Sequence, residues 1–151
     1  MIILAVDYGD ARTGLAVCDA GERLASPAGV IAERKSEKLM DAIAETAEKS
    51  KAGLLVVGLP LNMDGSFGPR AQKCRDFASR LAKKCSLPVE LWDERCTTMA
   101  AHNALNATDT RGKKRKEVVD AVAAVMILEG FLAYRRNRAV QGEGETAKQQ
   151  A

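Results

Sequence analysis

The sequence predicts an α/β fold in which a mixed five-stranded sheet, with strands 1–3 antiparallel and strands 4–5 parallel, carries helices on both faces. Three observations predict it. The first 32 residues hold three short β-favouring runs separated by turn residues. A continuous apolar run, Gly53-Leu54-Leu55-Val56-Val57-Gly58-Leu59, has the length and the two-sided apolarity of a covered parallel strand. Helical spacing then alternates with strand-length segments, which is the pattern of right-handed parallel crossovers.

Taken in order, Ile2–Tyr8, Arg12–Asp19 and Leu24–Ala32 form a meander, its turns at Gly9-Asp10-Ala11 and Ala20-Gly21-Glu22. Ser36–Ser50 places Leu39, Ile43 and Ala47 at four-residue spacing between charges, and Ser36 suits a helix start. The apolar run bounded by Gly53 and Gly58 is the central strand. Gly68–Cys85 returns to helical spacing through Ala71, Cys74, Phe77, Ala78 and Leu81, with Pro69 where a first-turn proline is tolerated. Pro88–Trp92 is the fifth strand. Thr97–Ala107 and Lys116–Tyr134 read as helices flanking a polar, basic connection, Thr108–Arg115. Residues 1–138 make one domain, and residues 139–151, without apolar period, are expected to be a disordered tail.

With 151 residues and 46% hydrophobic composition, the chain can bury a core without a structural metal or disulfides. Cys18, Cys74, Cys85 and Cys96 form no C-x-x-C pair, and His102 is the single histidine, so structural zinc has little support and reduced thiols are expected. No apolar run reaches the roughly 18 residues of a membrane span, and Asp7 interrupts the opening apolar segment too early for a signal peptide. A cytoplasmic location is expected, without membrane association. The charge is uneven: residues 1–69 sum to −3, residues 70–138 to +7 and residues 139–151 to −1. A basic half of this size attracts a polyanion, nucleic acid foremost, although a solvated face carries the same signature.

Three acids stand where acids are costly. Asp7 ends an apolar strand two residues before Gly9, so its carboxylate needs a cation, hydrogen bonds or a wet strand end; capping of the Gly9-Asp10 turn is the plainer alternative. Asp120 lies on a buried-helix pattern beside Ala123, Ala124 and Ile127, or else is a first-turn acid favoured by the helix dipole. Asp93 and Glu94 end the fifth strand. Alternation groups Glu94 with Trp92 and Glu90, so Glu94 is preferred as partner of Asp7 with Asp93 in reserve, against an ordinary strand terminus paired with Arg95. Convergence of Asp7, Glu94 and Asp120 would make an all-oxygen site suited to two Mg²⁺ or Mn²⁺ ions, able to hydrolyse phosphodiesters while the basic half holds the polymer. A P-loop and a G-x-G-x-x-G turn lack their residues here, and a serine triad would have to use His102, beside Ala101 and Ala104 in an Ala-rich helix, where an ordinary surface or core histidine is expected.

Four motifs then stand in order: Asp7-Tyr8-Gly9 with Arg12-Thr13-Gly14-Leu15-Ala16-Val17; Val57-Gly58-Leu59-Pro60-Leu61-Asn62-Met63-Asp64-Gly65-Ser66 running to Pro69-Arg70-Ala71; Asp93-Glu94-Arg95 with Thr97-Thr98; and Lys113-Lys114-Arg115-Lys116 leading to Val119-Asp120. Over Ile3–Leu132 the chain resembles the YqgF family, also called RuvX, of RNase H-like nucleases, related in fold to the resolvase RuvC. The resemblance implies an RNase H-like fold and a metal-dependent nuclease with its acids on Asp7, Glu94 and Asp120. It also implies a role in maturing the 5′ end of 16S rRNA precursor, with resolution of four-way DNA junctions as the rival. Within its motifs Arg12, Asn62, Ser66, Arg70, Arg95, Thr97, Lys113, Lys114, Arg115 and Lys116 look placed to grip a phosphate backbone, which positions a substrate without reading its sequence. Cys96 stands where the family pattern has a bulky apolar residue. A nucleic-acid-binding assembly factor with weak hydrolysis is the alternative from another class, and the chain would act as a monomer or a homodimer.

Overall fold

The computed structural model describes residues 1–94 and 121–138. Its elements are β1 (Ile3–Asp7), β2 (Thr13–Cys18), β3 (Ala25–Ile31), α1 (Ser36–Ser50), β4 (Leu54–Leu59), α2 (Pro69–Cys85) and β5 (Val89–Asp93); residues 121–138 are helical and are called α3. The five strands form one sheet in the order β3-β2-β1-β4-β5. β1, β2 and β3 pair antiparallel, whereas β4 pairs parallel with both β1 and β5. The mixed sheet of the sequence reading is therefore present. The predicted helix Thr97–Ala107, the connection Thr108–Arg115 and the tail 139–151 lie outside the described residues.

Alternation along the strands divides the core into two layers. Leu4, Val6, Leu15, Leu55 and Val57 point to one face, where Leu39, Met40, Ile43 and Ala47 of α1 and Phe77, Ala78 and Leu81 of α2 cover them. Ile3, Ala5, Ala16, Leu54 and Val56 point to the other, where Ala124, Ile127, Leu128, Phe131 and Leu132 of α3 pack. β1 and β4 are thus buried on both sides, which explains why their sequences are unbroken apolar runs rather than alternating ones. Ile43, fully buried against the sheet, carries a modest test of this packing: Ile43→Val should cost about 1 kcal/mol in denaturant unfolding and leave the chemistry at the opposite face unchanged.

Strand ends lie within one residue of their predicted places, α1 has the bounds expected for it, and the last helix runs on to residue 138, four residues beyond Tyr134. α1 is entered through Lys35 with no side-chain cap, and Ser36 is its first residue, where the sequence places the helix start. α2 starts at Pro69 after an extended Gly68, as a first-turn proline allows. Both helices close through a left-handed residue, Lys51 at φ 60° and Ser86 at φ 55°. Gly53 precedes β4, while Gly58, read as the strand's far boundary, lies inside it. Because β1, β4 and β5 run parallel, their carboxyl ends reach the same edge of the sheet, carrying Asp7, Gly58-Leu59 and Asp93-Glu94.

Candidate active site

Asp7 follows Ile3 and Ala5 in the alternation of β1, so its side chain leaves the sheet on the α3 face. Val6 is paired with Val57, which places Asp7 level with Gly58 of β4; on the far side Gly58 pairs with Trp92 and Leu59 with Asp93. Trp92 packs against the α3 layer, and Glu94, two residues on, turns to that same side. Its carboxylate occupies the space above Gly58 that a β-carbon would fill, next to the Cδ1 of Ile127. Asp7 and Glu94 meet there and share a side-chain hydrogen bond.

Two carboxyl groups in contact in a half-buried setting cannot both ionise cheaply. Burial, then the Glu94 charge, then the hydrogen bond between them push the Asp7 carboxyl up to about 8, with the Arg70 guanidinium pulling in the other direction. At neutral pH the pair therefore holds a proton between its oxygens, or else needs a cation. Both groups are hard oxygen donors, the kind that suits a small divalent ion. Behind them the thiol of Cys74, fully buried in α2, is held neutral, its pKa raised to about 11 chiefly by burial.

Of the three acids singled out in the sequence, the fold brings Asp7 and Glu94 together, while Asp120 lies outside the described residues, one position before α3. Asp93, the reserve, ends β5 at the register position opposite Leu59 and makes interactions of its own. Among the described residues no group of three or more acids, thiols or imidazoles is spaced to hold a metal.

The backbone-gripping candidates divide similarly. Arg70, at the start of α2, donates from Nη2 to the Tyr8 carbonyl at 2.6 Å and from Nη1 to Asp10 Oδ1 at 3.0 Å. Asn62 and Ser66 bind each other: the Asn62 amide donates to Ser66 Oγ at 2.8 Å, and the Asn62 N–H to the Ser66 carbonyl at 3.0 Å. That closes the loop between β4 and α2, with Gly65 in the positive-φ conformation the turn requires. The backbone of Arg12 folds over Gly9, whose missing side chain makes room for the Arg12 carbonyl. Arg95, Thr97, Lys113, Lys114, Arg115 and Lys116 lie outside the described residues, as does Cys96.

Sequence reasoning passed over three participants. Asp10 was read only as a turn residue, yet it accepts hydrogen bonds from Arg70 and from Lys73, whose Nζ lies 2.6 Å away. Lys73 was one charge among many on α2. Gly58 was read as a boundary; a glycine inside an apolar strand is the signal of a close approach that could have marked it. Among the described residues, no helix is long and apolar enough to cross a membrane.

The RuvX family model, described as Holliday junction resolvase, matches residues 1–134. A protein of Halothermothrix orenii named "Putative pre-16S rRNA nuclease" is 43% identical over 135 residues, covering 89% of this chain and 96% of that one. One of the same name from Pelotomaculum thermopropionicum is 44% identical over 133 residues, covering 87% and 86%. In fold, the chain is similar to Thermus thermophilus RuvC solved with a Holliday junction substrate, at TM-score 0.60 and 14% identity over 91% of this chain and 96% of that one. It is similar also to the Fowlpox virus resolvase solved with junction DNA, at TM-score 0.56 and 10% identity over 89% and 98%. The sheet order, the strand directions and the helices on both faces are those of an RNase H-like fold. With a match that begins at Met1 and runs through the carboxylate edge into α3, this chain belongs to the RuvX family.

Proposed function

We propose that this chain is a metal-dependent endonuclease that hydrolyses phosphodiester bonds in structured nucleic acid, acting in 5′-end maturation of 16S rRNA precursor. The observation that carries the reading is the Asp7–Glu94 pair, two carboxyls hydrogen-bonded at the carboxyl edge of a two-sided sheet beside one basic helix. The RNA substrate is favoured over a four-way junction because the relatives above 40% identity carry the rRNA name. The family description favours the junction, which makes DNA resolution the second reading.

The donor set fits Mg²⁺ or Mn²⁺: oxygen only and doubly anionic when deprotonated, with the Asp7 carboxyl raised first by burial and then by the Glu94 charge that a dication would offset. Asp7 and Glu94 would hold the metal, with Asp120 as third acid from the residue preceding α3. Two such ions, when bound, lower the pKa of a water and offset charge on the phosphate and the leaving oxygen. The chain's own residues do the rest. Asp7 and Glu94 would give up their shared proton on holding a cation, Gly58 leaves room for the Glu94 carboxylate, and Ile127 of α3 covers one side of it with an apolar side chain. Arg12, Arg70, Arg95, Thr97, Lys113, Lys114, Arg115 and Lys116 hold the phosphate backbone, and the Asn62–Ser66 loop, closed by its own hydrogen bonds, lies beside it.

Side-by-side incubation of a 5′-extended 16S rRNA precursor and a four-way DNA junction with Mn²⁺, Mg²⁺ or chelator tests the reading. Cutting of the precursor with either ion and none with chelator is expected. Cutting of the junction alone would transfer the assignment to resolution. Binding of both without cutting under any ion would leave an assembly factor, with the carboxylates structural.

A further inference from the structure

The loop after β1 puts a carboxylate where two cations of another element converge. Arg70 Nη1 and Lys73 Nζ, on adjacent turns at the start of α2, both reach Asp10 Oδ1, at 3.0 and 2.6 Å. The two cations are also held from below. Their charged ends sit 5.5 and 5.9 Å from the centre of the Tyr8 ring, and that ring lies flat on Phe77, centroids 4.0 Å apart and planes 2° apart. Arg70 has a second anchor in the Tyr8 carbonyl. Its position is thus fixed independently of Asp10, and its charge is felt at Asp7.

Asp10 itself is weakly committed. Its side chain is 67% exposed, and ion pairs so exposed contribute little to stability, so another anion can replace it at small cost. Carboxylate and phosphate oxygens accept the same charge-assisted hydrogen bonds from arginine and lysine. We propose that Arg70 and Lys73 form a phosphate subsite beside the carboxylate pair, and that the Asp10 carboxylate occupies it in the free protein and is displaced by a backbone phosphate of the bound strand. The proposal rests on the nucleic-acid reading above. It adds Lys73 as a binding residue and gives Asp10 the role of a competitor that the substrate must outbid, which weakens binding of short or weakly charged anions. Lys73 and Arg70 hold the Asp10 carboxyl below its ordinary range, so the competitor stays charged through mildly acidic conditions.

The test is binding of a fluorescein-labelled RNA duplex with a 5′ extension, read by anisotropy in chelator so that nothing is cut. Asp10→Asn should tighten binding about three- to tenfold at 0.1 M salt and steepen the salt dependence, and Lys73→Ala in the same chain should remove most of the gain. Asp41→Asn is the control for net charge, since Asp41 pairs with Lys84 at the far end of the same helix at 2.7 Å; it should change affinity less than about twofold. Where wild type binds the RNA, equal or weaker binding by Asp10→Asn, or an equal gain from Asp41→Asn, overturns the subsite. A parallel titration with inorganic phosphate, followed by NMR of the Arg70 and Lys73 side chains, separates this proposal from the nuclease reading. If neither protein bound RNA yet phosphate shifted both side chains with a lower midpoint in Asp10→Asn, the anion site and its Asp10 competitor would stand and the RNA substrate reading would fall. Unmoved signals in both proteins would remove the subsite.

Discussion

Asp7→Asn should abolish metal-dependent cleavage and at the same time make the metal-free protein more stable at pH 8. The loss of rate is expected to be at least about 10²–10³-fold, the scale of removing one preorganised group that stabilises transition-state charge. The gain in stability follows from linkage. The Asp7 carboxyl is raised from 3.8 to about 8 in the folded chain, first by burial and then by Glu94, so between those values the folded state keeps a proton that the unfolded state has released. Its contribution to stability is fully present below 3.8 and is lost as pH rises through about 8. Each pK unit corresponds to about 1.4 kcal/mol, and even after allowance for a partly solvated, coupled pair the strain on the native state at pH 8 is on the order of 2 kcal/mol.

Thermal unfolding in chelator at pH 5 and pH 8 reads this directly. Wild type should lose stability between the two, and Asp7→Asn should lose much less. Mn²⁺ should restore wild type at pH 8 through preferential binding to the native state, release a proton as it binds, and leave the variant unmoved. The same proton competition makes cleavage at limiting metal rise with pH towards about 8. A variant that kept its activity, or that was destabilised at pH 8 and rescued by Mn²⁺, would remove Asp7 from the metal site.

The elements were legible because their signals are local. The meander follows from turn residues at Gly9 and Gly21, the covered strand from Leu54 to Val57, and both long helices from spacings that recur every third or fourth residue. The meeting of Asp7 with Glu94 was legible one step further on, since parity along β5 groups Glu94 with Trp92 and the parallel order brings the ends of β1 and β5 to one edge. Contacts that depend on neither period nor parity were not. Lys73 reaches Asp10 across 63 positions, and nothing in either segment names the other. Asn62 and Ser66 suit a phosphate and suit each other equally well, and only the closed loop shows which contact the free protein makes. The position of Asp120 relative to the pair rests on the sequence pattern alone.

Gly58→Ala should cost far more in activity than in stability. A β-carbon there would lie 2.7 Å from the Cδ1 of Ile127 and 2.8 Å from the Cδ of Glu94, and closer still to Glu94 Oε1. Both are the far ends of side chains rather than backbone, so the strand can persist if the Glu94 carboxylate and the buried Ile127 methyl give way. Overpacking of this kind costs about 1–3 kcal/mol, and the movable end that faces the edge of the sheet is the Glu94 carboxylate. Displacing a catalytic group by about 1 Å can cost about 10²-fold, and that is the fall in cleavage expected for a protein still folded by circular dichroism. Two further readouts distinguish displacement of Glu94 from general loosening. With the Glu94 charge and hydrogen bond moved away, the Asp7 carboxyl should titrate below about 8 while burial still holds it above its ordinary value. Glu94→Asp added to Gly58→Ala shortens the side chain by one methylene, which draws the colliding carboxylate back from the new β-carbon, and should recover part of the lost rate. An unchanged Asp7 titration together with full activity would show that Glu94 does not depend on the space above Gly58, and would loosen the claim that these two carboxyls work as a pair.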